Sequence, residues 1–403
     1  MTHILNTEDL MAWIEIDLDK VAHNVQEICS KIGPKVTLMA TVKADAYGHG
    51  AYEIASTALQ HGAKKLGVSS LYEGIALRQK GIQAPILILA LSLPRHAETI
   101  VRHDLMQTVS DDRLPRALSQ AAQNQNKQVY VNVKVNTGMN RIGIEPESAV
   151  SYVKELLALP NLKIEGIFTH FATSYMEREF TEIQFARFQK ALKALSDAGI
   201  DIPYKHCCNT GGLINFPHTY LNQVRPGATL TTKYPEISPP EEFDIVDVMQ
   251  LKSKIISMRD VAAGEGIGYN LMYQASQDMK IAIVPIGWGD GFPRELTNKG
   301  TVLIRGEICP VVGRVCCDQV LVDISHVTDP HLEDEVVLIG QQGKKEIKAS
   351  QWAKLVIEGV SSHLTQRTLL TSRLPRLYFS DGEQVAQKRP LNLSESIIEG
   401  KER

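Results

Sequence analysis

Short apolar runs rich in β-branched residues alternate along the chain with longer stretches in which apolar side chains return every three or four positions. The first kind predicts strands buried on both faces, and the second predicts helices with one covered stripe. Strand candidates are Val36–Lys43, Leu66–Ser70, Pro85–Ala90, Met106–Ser110, Val129–Val135, Ile164–His170, Tyr204–Asn209 and Gln223–Arg225. Between them, Ala51–Gly62, Glu73–Gly81, Leu114–Gln123, Glu147–Ala158 and Thr181–Gly199 carry the helical spacing. Eight rounds of strand and helix predict a (β/α)8 TIM barrel with compact loops.

Past about Pro235 the texture changes. Helical spacing thins, and short strands with turn residues take over: Val248–Met258, Met279–Pro285, Thr301–Arg305, Val311–Val315, Val320–Ile324 and Glu335–Ile339. A second, mainly β domain is expected. The proline-rich segment Tyr234–Pro240 reads as the linker, since its prolines resist helix and sheet alike. The expected division is 1–238 for the barrel, with the first dozen residues free to pack elsewhere, 239–385 for the β domain, and 386–403 for a polar tail.

Length and charge narrow the function classes. A chain of 403 residues exceeds one small core. A net charge of -3 lacks the basic face that nucleic acid requires. No apolar run is long enough to span a membrane, and the first residues, Met1–Lys20, lack the basic start and apolar centre of a signal peptide. The six cysteines, Cys29, Cys207, Cys208, Cys309, Cys316 and Cys317, contain no Cys-x-x-Cys spacing. Free thiols in a reducing cytoplasm are the simplest account, and no metal is expected.

Barrel enzymes carry their chemistry at the C-terminal ends of the strands. Unusual polar residues fall there: Lys43 after the first strand, Lys134 and Asn136 after the fifth, and His170 after the sixth. Asn209-Thr210-Gly211 follow the seventh strand, and Arg225-Pro226-Gly227 close the eighth. A lysine buried at a strand end loses its charge more readily, and its free amine can attack an aldehyde. The loops after the last two strands suit phosphate: Thr210 brings a hydroxyl, and Gly211, Gly212 and Gly227 permit close backbone approach. A phosphate site facing a strand-one lysine matches a molecule with an aldehyde at one end and a phosphate at the other. Each residue taken alone also fits a structural role.

The run Val42-Lys43-Ala44-Asp45-Ala46-Tyr47-Gly48-His49-Gly50 resembles the cofactor-lysine motif of the alanine racemase family. So do Lys134–Arg141, Gly166–Thr173, His206 with Asn209, Arg225-Pro226-Gly227, Gly268-Tyr269, Pro285–Gly291 and Gly313–Asp318, in that order. The resemblance implies a fold-type III pyridoxal 5'-phosphate enzyme, a racemase acting on a small amino acid. It implies Lys43 as internal aldimine and one catalytic base, with Tyr269 of the partner subunit in a homodimer as the other. It places Tyr47, Thr210, Gly227 and Ala228 around the cofactor phosphate, Asn209 among the cofactor-binding residues, His170 near the ring, and Arg225 at the pyridine nitrogen. It gives Arg141 and Cys317 to the substrate carboxylate and matches Lys134 to a carbamylated lysine. The implied product, D-alanine, serves peptidoglycan precursors.

Several positions depart from the family. Cys317 stands for a methionine, Trp288 for a tyrosine, Asn136 for an aspartate, Asn270 for a glycine, and Thr231-Thr232 for Tyr-Gly, while Ser372 stands where many members carry a tyrosine. None removes a catalytic base, yet together they loosen the choice of alanine. Alternatives are a broad-specificity racemase for serine or basic amino acids, a fold-type III decarboxylase, and a non-enzymatic pyridoxal phosphate carrier. The Lys43 motif and Arg225 oppose the decarboxylase, and the β domain opposes the carrier.

Overall fold

The computed structural model describes residues 5–233, 243–356 and 373–389. The described residues form two compact units. One holds the residues up to Asp19, the short segment Tyr47–Gly50, and those from Val248 onward. The other holds Lys20–Ala46 and those from Ala51 to Asp247. The linker expected at Tyr234–Pro240, the departure at Ser372 and most of the expected tail lie outside the described residues.

The chain opens with strand β1 (Ala12–Asp17), which belongs to the first of these units. Eight parallel strands then build the other: β2 (Thr37–Thr41), β3 (Lys65–Val68), β4 (Ile86–Ile88), β5 (Met106–Val109), β6 (Val129–Lys134), β7 (Leu162–Phe168), β8 (Tyr204–His206) and β9 (Gln223–Val224). Each pairs with the next from β2 to β8, and β9 returns to β2. The seam between β8 and β9 is bridged just outside the strands, where Arg225 N donates to Cys208 O at 2.9 Å. Every expected barrel strand is present; Leu162–Phe168 is as long as its apolar run but begins two residues earlier, and the others are a little shorter than theirs. The expected helices settle at Ala51–Gln60, Leu71–Gln79, Arg113–Asn124, Ala149–Leu157 and Arg178–Asp197. Leu18–Ile32 and Ala97–Arg102 add two more. The first of these buries Val21, Val25, Ile28 and Ile32, a helical stripe.

The unit that holds β1 is mainly β. Its large sheet runs Glu307–Pro310, Thr301–Ile304, Glu335–Gln342, Met249–Lys254, β1, Arg376–Ser380 and Glu383–Lys388. A smaller sheet pairs Ser257–Val261, Met279–Val284 and Val320–Asp323. The single strand expected over Val248–Met258 is therefore two. The chain leaves one sheet and joins the other at buried Ile255, whose N–H goes to Asp334 O, while Ile256 N goes to Ile283 O. The strand expected at Val311–Val315 is reduced to a single bridge, Val311 to Val322, since Gly313 turns to φ 76°. The hairpin strand lies earlier, at Glu307–Pro310, behind an Arg305-Gly306 turn with φ of 51° and 77°. Two successive positive φ values match the twist of a tight hairpin. Among the described residues, no helix is long and apolar enough to cross a membrane.

Candidate active site

Lys43 lies two residues beyond β2, at the start of an unusual turn. Ala44, Asp45, Ala46 and Tyr47 hold φ values of 50°, 57°, 51° and 56°, one turn of left-handed helix built without glycine. Such backbone costs roughly 1–2 kcal/mol per residue, so neighbouring groups must hold it. Ala46 N donates to Val42 O at 2.9 Å, and Ala51 N donates to Asp45 Oδ1 at 2.9 Å. Ala44 N donates to Glu73 Oε1 at 2.7 Å. The other Glu73 oxygen accepts from Ser69 N at 2.7 Å and Ser70 N at 3.2 Å, while Ser70 Oγ accepts from Glu73 N. This is a capping box for the helix Leu71–Gln79. One carboxylate thus fixes both that helix and the turn that presents Lys43.

Burial pushes the Lys43 ammonium below its ordinary pKa, helped by Arg141 and Arg225 and opposed by Glu73. Lys134, at the end of β6, is 4% exposed. Burial drives its pKa far down, and Arg225 and Arg141 add to the effect. Its Nζ sits 4.4 Å from the Phe168 ring centre. Arg225 is buried too, which lowers its pKa to about 10. It donates from Nη1 to His206 Nδ1 at 2.7 Å and from Nη2 to Thr169 O at 2.9 Å, with His170 Nδ1 3.4 Å away. Phe168 lies 4.9 Å from the guanidinium and stacks on His206. His170 is held neutral by burial, then by Lys134, Arg225, Lys43 and Arg141. Lys43, Lys134, Arg141, Arg225 and His170 therefore converge at one end of the barrel.

The loops after β8 and β9 supply polar donors beside them. Asn209 caps the turn Thr210–Asn215, its Oδ1 accepting from Gly212 N at 2.9 Å and Ser174 Oγ at 2.8 Å. Thr210 is buried, and its Oγ1 accepts from Gly227 N at 3.2 Å. Ala228 opens the short turn after Gly227 and is buried. Tyr175, which sequence reasoning missed, places its phenol against Thr210 and the Gly211 amide. The expected role of Gly211 and Gly212 changes here. Gly212 N is taken by Asn209, and a Cβ at either would press on Ser174 or Phe171. Close packing explains the glycine pair as well as anion approach does.

Arg141 rides on the loop after β6 and is exposed. Val135 bridges Ile144 to close that loop. Gly143, at φ 133°, passes Asn136 so closely that a Cβ would lie 2.5 Å from its amide nitrogen. The departure at Asn136 has a reason: its Nδ2 donates to Glu145 Oε1 and to Asn140 Oδ1, both at 3.0 Å, while its Oδ1 accepts from Gly138 N and Asn140 N. An aspartate could not donate to Glu145.

Tyr47, Tyr269 and Cys317 belong to the other unit. Tyr269 follows Gly268 on a short turn and is 67% exposed. Asn270, in place of glycine, sits at φ 60°, a region asparagine tolerates better than most residues. Cys317 O accepts from Gly289 N and Cys316 O from Trp288 N, tying the Gly313–Asp318 motif to Pro285–Gly291. Arg373 links the same two segments through Asp290 and Asp318. All six cysteines are free thiols; Cys207, Cys208 and Cys309 are buried and the others half-buried.

An amine whose charged form is disfavoured, clustered cations and a hydroxyl-lined turn suit a planar molecule carrying an aldehyde and a phosphate, and a carboxylate beside it. Comparison with known proteins points the same way. The pattern described as "Alanine racemase, N-terminal domain" matches residues 16–235, and "Alanine racemase, C-terminal domain" matches 248–378. An alanine racemase of Halothermothrix orenii is 39% identical over 343 residues, covering 85% of this chain and 90% of that protein. The solved alanine racemase of Clostridium difficile 630 superposes with a TM-score of 0.89 at 34% identity, covering 95% and 99% of the two chains. A histidine racemase of Leuconostoc mesenteroides subsp. sake superposes at 0.83 with 29% identity, covering 93% and 100%.

Two substitutions test this geometry. Glu73→Gln leaves a single carbonyl oxygen where two sets of N–H groups now meet a carboxylate. It is expected to lower unfolding stability by about 2 kcal/mol in urea melts; an unchanged midpoint would show that the left-handed turn is held elsewhere. Asn136→Asp sets a carboxylate against Glu145 and is expected to cost about 1 kcal/mol in the same assay. Adding Glu145→Gln should restore most of that loss; equal stability of the single and double variants would refute the pairing.

Proposed function

The chain belongs to the alanine racemase family, and from that premise we propose that it interconverts L-alanine and D-alanine with pyridoxal 5'-phosphate and one base from each subunit of a homodimer. The observation that carries the reading is the convergence of Lys43, Lys134, Arg141, Arg225 and His170 at one end of the barrel. Pyridoxal phosphate, when bound, supplies an aldehyde for a lysine amine and a conjugated ring that acidifies the α-hydrogen of an amino acid.

The chain's own residues do the rest. Lys43, whose ammonium is disfavoured by burial, is the attachment point and moves a proton at one face of the α-carbon. Tyr269 of the partner subunit serves the other face. Tyr47, Thr210, Gly227 and Ala228 would hold the phosphate, with Asn209 capping the turn that carries Thr210. Arg225 would face the ring nitrogen and donate a hydrogen bond without surrendering a proton, since a guanidinium stays charged. His170 would lie beside the ring. Arg141 and the Cys317 amide grip the substrate carboxylate, the guanidinium fork matching a planar anion. Lys134 is the site of carbamylation: burial favours its neutral amine, the form that adds carbon dioxide.

A second copy is expected to cover the exposed apolar residues Tyr269, Leu271 and Met272. The free thiols suit a reducing cytoplasm, and D-alanine would feed peptidoglycan synthesis. A broader side-chain range is a second reading, favoured by Cys317 and Trp288 and by the likeness to a histidine racemase.

Borohydride treatment of the holoenzyme followed by peptide mapping should find the pyridoxyl group on Lys43; labelling of another lysine would remove Lys43 from its role. Lys43→Ala and Tyr269→Phe dimers should each be inactive. Unfolded and refolded together, they should regain about a quarter of wild-type activity, because half the dimers would carry one intact shared site. No regain would place both bases on one subunit. In a chiral assay, kcat/KM for alanine should exceed that for serine, histidine and lysine by about tenfold or more; the reverse order would favour the broader racemase.

A further inference from the structure

Below the site, a line of buried polar groups crosses the barrel interior. Arg225 Nη1 donates to His206 Nδ1 at 2.7 Å, and His206 Nε2 meets Asn132 Oδ1 at 3.1 Å. Asn132 Nδ2 points to Glu165 Oε2 at 3.4 Å, and Lys65 Nζ reaches Glu165 Oε1 at 2.6 Å. Asn132, His206, Lys65 and Arg225 are all buried. We infer that Asn132 is a positioning residue for Arg225: its Oδ1 accepts a hydrogen bond from His206 Nε2–H and so holds the tautomer whose Nδ1 lone pair faces the guanidinium. The inference rests on the proposed placement of Arg225 at the cofactor's ring nitrogen.

The direction of every bond follows from the two ends. A guanidinium and an ammonium only donate, and an ionised carboxylate only accepts. His206 must then accept at Nδ1 and carry its proton on Nε2. Asn132 must present its oxygen to His206 and its amide nitrogen to Glu165. Turning the amide over would set donor against donor at His206 and acceptor against acceptor at Glu165. Lys65 and Glu165 therefore fix the amide from below, with Lys65 also lying 3.2 Å from the Tyr204 ring centre.

The strands are shaped for this amide. The pairing of β6 with β7 slips between Val131 and Asn132, which sets Asn132 opposite Gly166. A Cβ at Gly166 would collide with Asn132 Oδ1. The glycine is the space the asparagine needs. The neutral state of His206 is also favoured by its burial and by the charges of Arg225, Lys65 and Lys134 around it. A line with fixed polarity cannot pass a proton upward, so His206 acts as an acceptor that orients Arg225 and not as an acid.

Nitrogen-15 NMR of histidine-labelled holoenzyme tests this, with His206 identified by its loss in His206→Gln. The wild type should show an acceptor-type Nδ1 and a protonated Nε2, unchanged across about pH 6 to 9. Asn132→Leu and Gly166→Ala should both disturb that signature. Each should lower kcat by about tenfold, the smaller loss typical of removing an outer hydrogen-bonding partner, with KM little changed. An imidazolium or a proton on Nδ1 in the wild type would overturn the inference, and so would unchanged His206 signals and kcat in folded Asn132→Leu. The expected tautomer in a protein that does not racemise amino acids would support the His206 assignment while refuting the proposed function.

Discussion

Among the described residues, the buried guanidinium of Arg225 meets an imidazole nitrogen, a carbonyl oxygen and an aromatic face in place of a carboxylate. Desolvating such a cation costs several kcal/mol, and only part of that is returned by a neutral acceptor or a ring face. Lys134 is buried over the opposite need, drawing on the same Phe168 ring. The barrel end is therefore a region where positive charge has been gathered and left to meet an anion. Burial first, and then the gathered positive charge, push the lysine amines toward neutrality and hold both nearby imidazoles uncharged. A site with this balance favours ligands that bring negative charge.

The geometry is held by strain and its restraint. Four left-handed residues follow Lys43, a conformation the chain would leave if it were free to. Glu73, 29 residues further along the chain, holds the first of their amides while capping the helix that follows β3. Rigid placement of the amine matters because proton transfer depends on sub-ångström positioning of the donor. Arg225 is held in the same manner from beneath, through His206 and Asn132 to an ion pair at the far side of the barrel. Both reactive cations thus depend on carboxylates that take no part in the chemistry proposed here.

Much of this was legible in the sequence, for physical reasons that differ by element. The eight barrel strands stand out because parallel strands buried on both faces read as unbroken apolar runs. The strand at Ala12–Asp17 was harder, since its partners Met249–Lys254 and Arg376–Ser380 lie at the other end of the chain. The break at Ile255 was invisible because two strands in different sheets share one continuous apolar run. Lys43, Lys134, His170 and Arg225 announce themselves as charges at strand ends. Glu73 did not, although Ser70-x-x-Glu73 is a readable capping box; nothing local shows that its carboxylate also reaches Ala44. Asn132 lies inside an apolar strand run and Gly166 opens a family-like motif, yet nothing local pairs the two, since only the slipped register brings them face to face.

The most direct test of the charge argument is calorimetric titration of the apoenzyme with pyridoxal phosphate and, separately, with pyridoxal. Both carry the aldehyde, and only one carries the anion. The account predicts that the phosphate form binds more tightly by well over about tenfold, or some 1.4 kcal/mol, with the gap narrowing as salt rises. Equal affinities, or a gap indifferent to salt, would contradict it.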